Sequence, residues 1–124
     1  MKYRFCSAVI VSGMALAACG KPGLIDTAKK AHLAECPNHA IGQIVNGYYN
    51  TTSWKAFETE TATVKRITAE GEIYYVGSAV NADLEFLFDE ETGDATLEAV
   101  RFNGEEQLRP FAEALISNMC DKAN

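Results

Sequence analysis

Between Trp54 and Phe102 the hydrophobic period is two, while on either side it is close to 3.6. This change of period is the strongest constraint on the fold, because a period of two lines one face of a strand and cannot line one face of a helix. Residues 61–76 form a long run rich in β-branched and aromatic side chains, with Ile67, Ala69, Gly71, Ile73 and Tyr75 in one phase. The phase survives Gly71, which predicts one long strand bent at a glycine; a tight turn at Glu70-Gly71, splitting the run in two, is the alternative. Residues 54–59 read as a preceding strand. After a connection over residues 77–82, Leu84, Phe86 and Phe88 alternate with Asp83, Glu85 and Leu87, as in a half-buried strand. Residues 89–94 read as a hairpin loop, with Gly93 available for a left-handed position. In the return strand Ala95–Phe102, Leu97 and Ala99 point one way and Val100 and Phe102 the other. A bulge near Ala99 reconciles the two. Asn103-Gly104 is expected to end the sheet.

The flanking segments are helical in pattern. Leu24, Ala28, Ala31, Leu33 and Ala34 favour a helix over residues 24–35, with Lys29 and Lys30 on the wet side. Pro37 stops it. Asn38 is a candidate cap for a second helix, whose buried face would carry Ile41, Ile44, Val45 and Tyr48. Gly42 and Gly47 each cost such a helix about 1 kcal/mol, or else permit close packing. Leu108, Phe111, Ala112, Leu115 and Met119 form a third helical stripe running up to Cys120. Pro110 is tolerated only in its first turn, so this helix should begin near residues 107–109. The order predicts an α+β domain: an antiparallel β-meander of about four strands packed against N-terminal helices and a C-terminal helix. It resembles, at the level of fold alone, cystatin-like and similar two-helix-plus-meander domains. The 89–94 hairpin also resembles the strand-turn-strand of PepSY envelope modules, and no functional residue is carried over from either.

Residues 1–18 have a different character. Lys2 and Arg4 precede an apolar run over residues 5–15, too short to span a bilayer comfortably, and small residues follow. Leu16-Ala17-Ala18-Cys19 closes the segment and resembles the lipobox of bacterial lipoprotein precursors. An ordinary signal peptide with a coincidental cysteine is the alternative. The resemblance covers about the first twenty residues. It implies cleavage before Cys19, diacylglyceryl transfer to the Cys19 thiol and acylation of the new N-terminus. Two or more acyl chains give stable anchoring without a spanning helix, at about 0.8 kcal/mol per buried methylene. Gly20, where an aspartate would favour inner-membrane retention, implies the outer membrane. The expected division is a signal peptide over 1–18, a lipidated tether over 19–23 and one envelope domain over 24–124.

Without residues 1–18 the chain carries 9 basic and 17 acidic residues, a formal charge of −8. That disfavours nucleic acid and anionic headgroups as partners. Cys6 leaves with the signal and Cys19 takes the lipid, so Cys36 and Cys120 remain, in a compartment where disulfides persist. Their pairing is expected; a reactive thiol pair would lack the usual C-x-x-C spacing.

The chemistry-bearing residues do not assemble into a catalytic motif. His32, Cys36 and His39 lie close in sequence, but Pro37 breaks the helix that would align them and a closed zinc site wants four ligands. Asp89, Glu90, Glu91 and Asp94 lack calcium-loop spacing and read as a solvated turn. No G-x-S-x-G or H-E-x-x-H occurs. Tyr74 and Tyr75 are neighbours on a strand and must point to opposite faces, so one of them is expected on an open sheet face, as a contact residue for a partner or, in the alternative, as a lone surface tyrosine. The expected function is a non-catalytic, lipid-anchored envelope protein without a cofactor, bound to the membrane through its N-terminal lipid and binding another envelope protein. An inhibitor-type module that blocks a periplasmic or surface hydrolase is the alternative.

Overall fold

The computed structural model describes residues 23–123; the expected signal segment, Cys19 and the expected tether as far as Pro22 lie outside them. The chain runs α1 (Leu24–Lys29), α2 (Ile41–Tyr48), β1 (Thr52–Glu58), β2 (Val64–Tyr75), β3 (Ser78–Asp89), β4 (Ala95–Phe102), β5 (Glu105–Glu106) and α3 (Arg109–Ala123). The five strands form one antiparallel sheet in sequence order, a meander with α+β architecture. Ile67, Ala69 and Ile73 of β2 and Ala82, Leu84, Phe86 and Phe88 of β3 face inward, where they meet Ile44 and Val45 of α2 and Leu115, Ile116 and Met119 of α3. Each of these side chains is buried, and each of the larger ones, Val, Leu, Ile, Phe or Met, contributes about 1.5–3 kcal/mol when withdrawn from water.

β2 is one strand of twelve residues, unbroken at Gly71. The glycine is required by a close approach. A Cβ there would overlap the Thr51 carbonyl oxygen and lie 2.9 Å from Cδ2 of Tyr49. Tyr49 leaves the end of α2, crosses over Gly71 and donates its hydroxyl proton to the Ala82 carbonyl at 3.3 Å. The bulge in β4 is present: Glu85 pairs with Ala99 and Phe86 with Leu97, leaving Glu98 as the extra residue. Gly93 occupies the left-handed position of the 89–94 loop, with φ 80°.

Several boundaries differ from the sequence expectation. α1 stops at Lys29, not near residue 35, and the chain turns back on itself so that the Cys36 amide bonds the Leu33 carbonyl at 2.9 Å. The Ala31 carbonyl then accepts from the Ile41 amide at 2.8 Å, which a continuous helix would forbid. Lys29 is half-buried, its ammonium 5.0 Å from the centre of the Trp54 ring, and its stem packs on Gly42. The N-cap of α2 is Ala40, whose amide is held by the Gln43 side chain at 3.1 Å; Asn38 does not cap it. The expected 77–82 connection is a two-residue turn, Val76-Gly77, and β3 starts at Ser78. Asn103-Gly104 does not end the sheet but turns it into β5. Leu108 stands outside the α3 stripe, which buries Ile116 instead.

Cys36, in the α1–α2 connection, is bonded to Cys120 in the last turn of α3, with the two Cα atoms 5.8 Å apart. The bond closes a loop with a sequence separation of 84. Constraint of the unfolded chain by a loop of that length is worth about 4–5 kcal/mol in the chain-entropy account. Cys36→Ser or Cys120→Ser is expected to lower stability by about 2–5 kcal/mol in urea unfolding of the oxidised protein. Two glycine substitutions are expected to have opposite signs. Gly71→Ala forces Thr51 or Tyr49 to move and should cost about 1–3 kcal/mol. Gly47→Ala, in α2 with open space around it, should gain about 0.5–1 kcal/mol in the same assay.

Candidate interaction surfaces

The helices cover one face of the sheet, and the other is open. On the open face Arg66 of β2 reaches Glu85 of β3 at 2.8 Å, and Arg101 of β4 reaches the second oxygen of the same carboxylate at 2.9 Å. Arg101 also approaches Asp83 at 3.8 Å and Glu106 at 3.9 Å. Glu70 accepts from Asn81 at 3.0 Å and Glu72 from Asn50 at 3.3 Å. Carboxylates thus outnumber cations across the centre of this face. Strand register produces the arrangement: Thr68, Glu70 and Glu72 of β2 pair directly with Glu85, Asp83 and Asn81 of β3, so acidic side chains from two strands converge. Glu85 is satisfied by its two arginines. Asp83 is less well placed, because its Oδ1 is buried and has no hydrogen-bond partner. Burial pushes the Asp83 carboxyl above the usual aspartate range, against the pull of Arg101, and Glu70 and Glu85 add to the rise. Burial likewise raises the Tyr49 hydroxyl well above the usual tyrosine range, with Asp83 and Glu70 adding to it.

Tyr74 and Tyr75 point to opposite faces. Tyr74 is 70% exposed at the margin of the open face. Tyr75 is half-buried beneath the helix layer, where its ring meets Phe102 at 5.4 Å and Phe111 at 5.5 Å, all three contacts in the cluster being edge-on. Aromatic pairs in this geometry are worth about 0.5–1.5 kcal/mol beyond area burial. Tyr75 is therefore a packing residue, and Tyr74 is the member of the pair available to a partner.

Two features of this end of the molecule are absent from the sequence reading. Val76 is 84% exposed, and Leu108, one helical turn before Phe111, is 79% exposed. Val76 also has φ 51°, a left-handed conformation that β-branched residues rarely adopt. The available signal was the Val-Gly pair between two strand patterns. Turn chemistry looks for Asn-Gly or Asp-Gly there, so the valine concealed the hairpin.

At the opposite end of the sheet Lys65 is 4% exposed. Its ammonium meets Glu90 at 3.1 Å, Glu58 at 3.9 Å and the Ala62 carbonyl. It ties the β1–β2 connection to the 89–94 loop. On the opposite face of the same end a shallow depression of about 350 Å³ is lined by Thr59, Glu60, Thr61, Val64, Arg66 and Leu87. The bidentate use of Glu85 already engages Arg66, the cation of that depression. His32 is exposed and Cys36 is committed to the disulfide. Among the described residues no three His, Cys, Asp or Glu side chains converge as a metal would need, and no helix is long and apolar enough to cross a membrane.

No family model, curated protein or solved structure matches the chain.

The state of Asp83 sets a pH dependence. A carboxyl whose folded pKa lies above its unfolded value binds more protons in the folded state, so its contribution falls as pH rises from the ordinary aspartate range through the raised value. Asp83→Asn is therefore expected to raise the melting temperature at neutral pH. The gain should shrink as pH is lowered through that window, as a pair of thermal melts across pH would show.

Proposed function

We propose that the protein is a non-catalytic lipoprotein, anchored through acylated Cys19 in the bacterial outer membrane, whose domain binds another envelope protein through the open face of its sheet. The observation that carries this reading is Leu16-Ala17-Ala18-Cys19 at the end of a charged, then apolar, N-terminal segment. The open face supports the binding half of it. It offers a large exposed aromatic, Tyr74, beside a field of carboxylates. Buried aromatics commonly supply the dominant contact of an interface, and a charged surround sets orientation and encounter rate. The acidic excess favours a partner with a basic surface. It gives the same support to the second reading, an inhibitor-type module that covers a basic hydrolase in the periplasm or at the cell surface.

Cys19→Ala is expected to abolish palmitate labelling and to leave the precursor uncut or the protein soluble. A variant that fractionates with membranes like the wild type, with neither protein labelled, would contradict the anchor. For the binding face, Tyr74→Ala should weaken partner binding by about 1–3 kcal/mol with little change in stability. Tyr75→Ala should instead lower stability. A pull-down with the intact lipidated protein separates the two readings: solubilised envelope proteins support the first, and a single hydrolase supports the second.

A further inference from the structure

The β2–β3 hairpin ends in an uncharged stretch, residues 74–80. At its apex stands Val76, exposed and held at positive φ. The same chain makes another two-residue turn with both residues at positive φ, Asn103-Gly104, and there the first position carries asparagine, the residue such a turn prefers. Asparagine at position 76 would relieve the strain and remove an apolar side chain from water. The chain carries valine instead, and departures of this kind from local rules concentrate at functional sites. Leu108 is exposed on the neighbouring segment, one helical turn from Phe111, and Phe111 packs on Tyr75 next to Val76. The two exposed aliphatics therefore flank one half-buried aromatic cluster, Tyr75, Phe102 and Phe111, and the end is convex because the β2–β3 hairpin projects past Gly71, the last partner of β1, and Ala82, the last partner of β4.

What covers this end follows from the length of chain that precedes the domain, and so rests on the lipoprotein reading. Four residues, 20–23, join Cys19 to α1. Fully extended they reach about 15 Å. β2 alone, with twelve residues, is about 40 Å long. A tether so much shorter than the domain cannot hold it clear of the bilayer, and some part of its surface must lie against the lipid. The 89–94 loop carries four carboxylates and the open face a charged network, both costly to bring to a membrane surface. Residues 74–80 carry no charge, and the charged side chains of this end, Glu105, Glu106 and Arg109, neighbour Leu108 in sequence rather than lying on the hairpin. The hairpin's aromatic and aliphatic side chains suit the interfacial zone, where tyrosine is enriched and small apolar faces insert shallowly. A protein pocket would have to be concave to match the same end, and the short tether gives no reason to expect one there.

We propose that the convex apolar end formed by Val76 and Leu108 over the Tyr75–Phe102–Phe111 cluster seats in the headgroup region of the membrane that holds the lipid anchor. Insertion at this end leaves the open sheet face turned sideways and free, with Tyr74 at the boundary between the two surfaces. The bilayer contact fixes the orientation that a lipid chain on its own would leave loose.

The test uses the full lipidated protein in phosphatidylethanolamine–phosphatidylglycerol vesicles. Val76→Cys and, as a control at the other end of the sheet, Glu91→Cys are each labelled with an environment-sensitive dye. The dye at position 76 should shift to the blue and be quenched by lipids spin-labelled in the upper acyl chain, and the dye at 91 should remain water-like. A dye-free arm follows amide exchange at residues 74–80, which vesicles should slow in the wild type but not in Val76→Asp. A water-like dye at 76 in protein that carries palmitate and floats with the vesicles overturns the inference and leaves the anchor standing. Shielding at 76 only when envelope proteins are added overturns it in favour of a protein pocket. Absence of palmitate, with no flotation, removes the tether argument and overturns both.

Discussion

The bond between Cys36 and Cys120 is the constraint on which the helix layer depends. α1 is six residues long and α2 eight, too short to hold themselves in water, so their place comes from what they are tied to. Cys36 sits in a turn and is fully buried, and its sulfur joins it to the end of the longest helix. With that point fixed, the Ala31 carbonyl can reach the start of α2, Gly42 can press against Lys29, and α2 can lie beside α3 over the sheet. A domain of about a hundred residues has a modest core, and a covalent closure of this size is a substantial share of the roughly 5–15 kcal/mol that keeps such domains folded. The second fixed point is Tyr49 over Gly71, where the helix layer meets the middle of the long strand with no room for a methyl group.

Much of this was legible in the sequence, and what was missed follows a pattern. Alternation over residues 61–76 keeps its phase through Gly71, and the strand is continuous. The two clashing phases around Ala99 required an extra residue, and the bulge supplies it. The cysteine pair followed once Cys6 and Cys19 were assigned to the signal and the lipid. Misplaced features were those set by long-range contacts. Alanine-rich helix propensity carried the first helix to residue 35, while the disulfide and the Ala31–Ile41 hydrogen bond turned the chain at Lys29. Val76 hid a hairpin because it is the wrong residue for its conformation. Leu108 fits a helical stripe by spacing, yet it precedes the helix and points into solvent. Of the two candidate contact tyrosines, period alone showed that they diverge, but the aromatic partners of Tyr75 were too far away in sequence to show which faces inward.

The structure divides its surface by charge. One end, around Lys65 and the 89–94 loop, is heavily ionic, with a buried ammonium held between two strand connections. At the other end the β2–β3 hairpin is uncharged over residues 74–80 and exposes Val76. Between them the open face carries carboxylates from adjacent strands, with Asp83 under-satisfied. A buried carboxylate oxygen without a partner costs about 1–3 kcal/mol, and stability as such gives no reason to keep it. On a face that binds, the same charge adds to an acidic field that selects basic partners. With the proposed lipid anchor, a short tether, the uncharged 74–80 hairpin and an acidic face would together present the sheet sideways to the membrane.

The account joins an acylated N-terminus to an oxidised domain, and one mass spectrum of the mature protein, isolated from the envelope without reduction and alkylated, reads both. It should show a chain that begins at Cys19, carries the mass of the lipid groups and has no alkylated thiol, since Cys36 and Cys120 are bonded to each other. A chain with a different start and no lipid mass, or one with both cysteines alkylated, would contradict it.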